Sequence, residues 1–290
     1  MNKPDKPLIA GVDGSDPSLR ALDWAVDVAV SYGVPLRVVH ASRWEWYEGH
    51  EPSFGINRPS VQALSDHIAA SAVERAQRRT SAVKVTGEVL SEDPAVALAR
   101  LGSEAGAVVV GSRGRGELTE LLLGSVSLSV AAHAASPVIV VRGHEKNVKG
   151  GFRSVVLGID LPQEATLAVD FAFREAQSRD ASLSVVHTWR CPALEVPDFP
   201  TAVHDEHQQR ATAQVEEILR EALAAYPDIA VRRKVVEGHA RTVLLDASRT
   251  ADLLVVGARR RKGHVGMQLG PVNHAVLHHA ACPVAVVPHA

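Results

Sequence analysis

Two rhythms of apolar and polar positions alternate along this chain. Short apolar runs, such as Leu8-Ile9-Ala10-Gly11-Val12 and Ala107-Val108-Val109-Val110, read as buried strands. Between them, apolar residues return every three or four positions, as at Leu19, Leu22, Val26 and Ala29, which is the period of a helix with one buried face. Asp16-Pro17 supplies a start signal, an N-cap residue followed by proline at the first helical position. In the first half the pattern predicts strands over 8–12, 36–40, 83–90, 107–110 and 138–141, and helices over 17–31, 61–79, 94–104 and 126–134. In the second half it predicts helices over 164–178, 204–225, 241–249 and 272–279.

The halves repeat one another at an offset of 146–147 residues. Leu8–Asp13 aligns with Val156–Asp160, and Leu36–His40 with Leu183–His187. Val108–Gly111 aligns with Leu254–Gly257, and His133–Val138 with His279–Val284. Four matches in one order indicate tandem duplication, with domains at 1–144 and 152–290. The join, near Gly143-His144-Glu145-Lys146-Asn147-Val148-Lys149-Gly150-Gly151, is polar, charged and glycine-ended and reads as a short flexible linker. Five strands alternating with four helices imply an α/β fold, a doubly wound open parallel five-stranded sheet in each half. Strand order 3-2-1-4-5 places the first and fourth strands side by side with connections leaving in opposite directions, and ligands bind in such a crevice. Asp13 and Gly111 end those two strands. The fifth strands would form sheet edges, which invite pairing.

Composition narrows the function classes. The chain has 290 residues, 46% of them hydrophobic and rich in Ala, Val and Leu, as parallel strands covered by helices require. A formal net charge of -2 gives no global basic field for nucleic acid. No apolar run reaches membrane-spanning length and the first residues show no secretory h-region, so a cytoplasmic protein is expected. Cys191 and Cys282 lie far apart and form no CxxC pair, which fits a reducing compartment.

The connection from the fourth strand to the next helix carries the chemistry. Gly111-Ser112-Arg113-Gly114 is followed, after nine further residues, by Gly124-Ser125. Glycines at both ends allow main-chain N–H groups to approach an anion closely, and the helix N-terminus beyond, with Ser125 as its N-cap, suits phosphate. There is no Gly-Lys-Ser/Thr, so this is not a Walker A loop. Together with Gly11-Val12-Asp13-Gly14-Ser15, this pattern resembles the universal stress protein family, in its ATP-binding branch, and the likeness extends over both halves as in tandem-domain members.

The resemblance implies an ATP site in the first half. Asp13 would face the adenosine, and the backbone of Ala41 the adenine edge. Gly111 and Gly114 would line ribose and phosphates, and Gly124, Ser125, Val126 and Ser127 would bind the triphosphate through backbone amides and hydroxyls, with Mg²⁺ held by phosphate oxygens and water. Arg113 and Arg115 read equally as phosphate contacts and as solvated loop arginines. In the second half Asp160, Gly257 and Gly270 are retained. Arg260 replaces the middle glycine, Pro271 replaces Ser125, and Leu161-Pro162 replace Gly14-Ser15, so a weaker, altered or empty site is expected there. The resemblance also implies sheet-edge pairing of the halves as an intrachain pseudo-dimer, with a homodimer of whole chains beyond it.

Other residues read more plainly. His40 and His187 end matching strands and suit structural roles. His274 and His278 are spaced i, i+4, but their counterparts are Leu128 and Ala132 and no third metal ligand is evident. Trp44, Trp46 and Tyr47 follow the second strand and suit packing on their own domain. The function expected is a nucleotide-dependent regulator or sensor in stress response, with adenine nucleotide and unidentified proteins as partners. A slow ATPase or nucleotide transferase, and a nucleotide-independent adaptor, are the alternatives. With no Walker lysine and no paired base, binding is favoured over turnover.

Overall fold

In the computed structural model, residues 6–43, 58–114, 123–160, 166–190, 201–258 and 269–289 are described. The chain divides into two units, Met1–Arg142 and Gly143–Ala290.

The first unit runs β1 (Leu8–Gly11), α1 (Asp16–Tyr32), β2 (Leu36–Ala41), α2 (Arg58–Arg79), β3 (Val85–Leu90), α3 (Pro94–Gly102), β4 (Ala107–Gly111), α4 (Ser125–His133) and β5 (Val138–Val141). Its strands lie in the expected order β3-β2-β1-β4-β5, with parallel registers such as Ala10 opposite both Val38 and Val109. Ile9, Ala10, Val38, Val108 and Val109 are fully buried, which explains why these strands are unbroken apolar runs. At the sheet's edge, β3 carries exposed Thr86 and half-buried Glu88, as an edge strand should.

α1 shows how local signals and packing cooperate. Ala21, Leu22, Ala25, Val26 and Ala29 form its buried stripe, and side chains the size of Leu22 each contribute about 1.5–3 kcal/mol relative to exposure. Ser15, rather than Asp16, is the N-cap, its hydroxyl accepting from the Ser18 N–H at 3.4 Å, and Pro17 occupies the first turn. Gly33 closes the helix at φ 66°, its N–H reaching back to the last carbonyls. On the outer face two bidentate forks tie α1 to α2, Arg75 on Asp23 and Arg79 on Asp27, with N···O distances of 2.6–2.8 Å. These hydrogen bonds raise both guanidinium pKa values further above their ordinary range, so the forks stay charged.

The second unit begins where a linker was expected. Residues Glu145–Val148 form a short helix, α5. Its Asn147 is buried, and its carboxamide donates to the carbonyls of Ser248, Arg249 and Ala251 at 2.7–3.2 Å. Asp252 likewise accepts from the N–H groups of Phe152 and Ser154 at 2.9 and 3.0 Å. The flexible reading is corrected for a plain reason. One buried side chain of an otherwise largely exposed polar segment is held by hydrogen bonds to the end of α8 and the turn after it, about a hundred positions away, which local composition does not register.

β6 (Ser154–Ile159), α6 (Thr166–Ser178), β7 (Ser182–Trp189), α7 (Thr201–Ala225), β8 (Val231–Glu237), α8 (Ala240–Ser248), β9 (Leu253–Ala258), α9 (Pro271–His279) and β10 (Val284–Pro288) complete the unit. The strand order is β8-β7-β6-β9-β10, again parallel. β8 is the charged edge, with Arg232, Arg233 and Lys234 exposed. Among the described residues no helix is long and apolar enough to cross a membrane.

Candidate functional site

The strand order of the first unit brings the carboxyl ends of β1 and β4 together. In register, Val12 follows Gly11 opposite Val39, so Asp13 sits level with Ala41 on the neighbouring strand. Asp13 folds back on its own turn. Its Oδ1 accepts from the Ser15 N–H at 3.0 Å and from the Ser15 hydroxyl at 2.6 Å, closing an Asx turn across Gly14. Gly14 holds φ 81°, a conformation that a residue with a Cβ rarely adopts.

The glycine loop meets this turn. A methyl on Gly114 would collide with Asp13 Oδ2, so the bare backbone of the β4–α4 connection lies directly against the carboxylate. A Cβ on Gly111 would come within 2.7 Å of the Pro17 carbonyl and 2.9 Å of the Ser18 nitrogen, both rigid backbone atoms of α1's first turn. Gly124 closes the far side. Its N–H donates to the Ser112 carbonyl at 2.8 Å, and a Cβ there would sit 3.3 Å from the Arg113 Cα. Three glycines thus let main chain pack against main chain, or against the Asp13 carboxylate, where β1 and β4 end. Arg113 is half-buried and Gly114 exposed.

Gly124, not Ser125, is the N-cap of α4, and among the described residues no side chain caps this helix. Among the described residues, then, no side chain spans the first N–H groups of α4, those of Ser125, Val126 and Ser127, at the positive end of the helix dipole. The Ser127 hydroxyl is committed elsewhere. At 5% exposure it donates to the Gly111 carbonyl at 2.6 Å and straps α4 to the end of β4. Ala41 is buried at the end of β2, opposite Leu90, and offers the crevice only its main chain.

The second unit keeps the straps and changes the walls. Asn273 stands where Ser127 does and donates to the Gly257 carbonyl at 3.0 Å. His187 Nδ1 donates to the Ile159 carbonyl at 3.1 Å, as His40 Nδ1 donates to that of Val12 at 2.8 Å, so both histidines are buried ties between strands. Asp160 is exposed. A Cβ on Gly257 would meet the imidazole of His289 at 2.7 Å, and one on Gly270 would meet nothing within 4 Å among the described residues. Pro271 occupies the first turn of α9 and has no N–H to offer. The Asx turn of the first unit has no counterpart in chemistry, since Pro162, at the position of Ser15, lacks the donating N–H.

The sequence missed Ser18, whose hydroxyl accepts from the Asp13 N–H at 3.3 Å, and the backbone of Pro17, which packs against Gly111. It also missed Asn273, whose signal was alignment to Ser127 at the repeat offset. Arg115, Arg260, Cys191 and the Trp44–Tyr47 aromatics fall outside the described residues. Cys282 is buried. His274 and His278 stack with ring centroids 6.3 Å apart, and no cluster of three or more metal-ligating side chains occurs among the described residues.

This arrangement repeats as a known family does. A model of the universal stress protein family matches residues 6–142 and again 151–288. The chain belongs to the universal stress protein family. A universal stress protein of Mycobacterium tuberculosis (strain ATCC 25618 / H37Rv) is 35% identical over 296 residues, covering 99% of this chain and 99% of its own. One from Mycolicibacterium smegmatis is 32% identical over 294 residues, covering 97% and 96%. Among solved structures, a universal stress protein from Archaeoglobus fulgidus DSM 4304 superposes with a TM-score of 0.70 over 99% of both chains at 18% identity, a likeness of fold. As a tandem member of the universal stress protein family, the chain carries close-packed glycines at the end of β4 and different neighbours around the matching glycine of β9.

Proposed function

We propose that the first unit binds ATP, with Mg²⁺ on its phosphates, and that binding sets the protein's conformation or partners during stress. The observation that carries this reading is the close approach of Gly114 to Asp13. It brings the bare main chain of the β4–α4 connection to the carboxylate at the switch point of an open α/β sheet, and folds of this kind seat phosphate on backbone N–H groups at such a point. Asp13, already oriented by Ser15, would hydrogen-bond the ribose. The backbone at Ala41 would meet the adenine edge, Gly111, Arg113 and Gly114 would flank ribose and phosphates, and Gly124 with the first N–H groups of α4 would hold the triphosphate. When bound, the triphosphate supplies charge that compensates the positive end of α4.

The second crevice, with Asp160, Gly257 and Gly270, is proposed to bind nucleotide weakly or not at all. Pro271 removes one donor from the first turn of α9, and the His289 ring lies over Gly257.

Calorimetric titration of the full chain with Mg·ATP tests the reading. One site per chain is expected, weakened at least about tenfold by Gly114→Ala, which drives a methyl into Asp13, and by Asp13→Ala. A folded chain that takes up no nucleotide at millimolar concentration would end it. Nucleotide bound equally by the two units would overturn the asymmetry alone.

A further inference from the structure

A groove of about 1190 Å³ runs along the outer face of the second unit, between the edge strand β8 and helices α8 and α9. Its rim carries Lys234, Arg241, Arg249, His274, His278 and His279. Two carboxylates face the same space, Glu237 and Asp246, and Asp246 already lies 3.7 Å from Arg249. The floor is apolar, with Val236, Val243, Leu245 and Ala275. This concentration of positive and imidazole groups sits on a chain whose formal net charge is -2, so it is a local feature and not a reflection of composition.

The first unit lacks most of these groups. At the corresponding positions it has Glu88 for Lys234, Ala95 for Arg241, Ser103 for Arg249, Leu128 for His274 and Ala132 for His278. The same surface of the same fold therefore does without them, and the helices pack without them. Neither the straps nor the core of the second unit draws on them.

We propose that this groove docks an acidic, amphipathic segment of a partner protein, its carboxylates on the rim and its apolar side chains on the floor. The volume exceeds what one small ligand fills, which favours a peptide over a free anion. The apolar floor would be wasted on a nucleic-acid backbone, whereas an amphipathic helix or strand uses both surfaces at once. The guanidinium and ammonium groups oppose a metal cation in the same space. The proposal is independent of the nucleotide reading.

Fluorescence anisotropy on the full chain, with a fluorescein-labelled amphipathic Leu/Glu peptide as probe, tests it. Binding is expected at low salt and falls as salt rises. Arg241→Glu with Arg249→Glu, both at exposed positions, should weaken it at least about tenfold. His274→Leu with His278→Ala, which installs the first unit's own residues, should weaken it less. Arg233→Glu, on the opposite face of β8, should leave it unchanged, and added peptide should slow amide exchange in α8 and α9. The proposal falls if the probe does not bind at low salt, or if Arg233→Glu weakens binding as much as the double reversal. It also falls if tripolyphosphate or an oligouridylate binds the same arginines more tightly than the peptide.

Discussion

At the end of β4, a methyl on Gly111 would meet the backbone of Pro17 at 2.7 Å; at the end of β9, a methyl on Gly257 would meet the His289 ring at the same distance. The first obstacle is main chain, locked by the turn of α1, and the second is a side chain near the carboxyl terminus that can rotate. The contrast continues at the next helix, where Gly124 is pressed against the Arg113 backbone and a Cβ on Gly270 would meet none of the described residues within 4 Å. What both units share are the ties that hold strand ends to helices: a donor from α4 or α9 to the glycine carbonyl, and a histidine bridging two strands. The duplicated copies have thus kept the interactions that make the fold and diverged in those that shape its crevice.

The contrast can be broken most severely at Gly111. Gly111→Val should cost about 3 kcal/mol, the upper part of the overpacking range, because backbone cannot step aside. Gly257→Ala should cost under about 1 kcal/mol, and less again beside His289→Ala. Urea unfolding, with amide exchange in β4 and β9 to separate the units, measures both; equal costs would show that the two walls are equally rigid.

Ligand-linked stability comes next. At a hundredfold excess of Mg·ATP over Kd, the first unit should gain about 2.7 kcal/mol and the second close to nothing. Protection should appear in α4 and not in α9, and dialysis away of the nucleotide should abolish it.

The shared straps should respond alike. Ser127→Ala and Asn273→Ala each leave a glycine carbonyl without its donor and should cost about 1–2 kcal/mol in their own unit. Ser127→Asn tests whether one strap can replace the other. The smallest effects are expected at the caps. Gly124→Ala should cost about 1 kcal/mol, since its Cβ meets the Arg113 backbone. Gly270→Ala should change stability by under about 0.5 kcal/mol, because chain stiffening and cap preference oppose each other.

Much of the candidate site was legible from spacing alone. Gly111, Gly114 and Gly124 stood out because glycines at the ends of a strand-to-helix connection mark backbone that comes close to something, and the structure packs all three against neighbouring chain atoms. Ser125 and Asp16 were misread as caps because the true caps, Gly124 and Ser15, lie one residue earlier, a difference that depends on backbone angles. The hydroxyl of Ser127 was assigned to phosphate by resemblance, whereas its donor bond goes to a carbonyl sixteen positions back.

By itself the sequence determined the duplication, the strands and every helix but α5, because burial imprints its period on consecutive residues; parallel crossovers left few strand arrangements, and the order β3-β2-β1-β4-β5 was favoured among them. The tertiary structure alone decided the turn of Asp13 on Ser15, the seating of Asn147 on three distant carbonyls, and the placement of His289 over Gly257. It also decided the gathering of β8, α8 and α9 side chains around one groove. Each of these is a polar contact or a steric exclusion between residues that share no local period. Such contacts leave no repeating trace along the chain and are set only when the sheet has brought their backbones together.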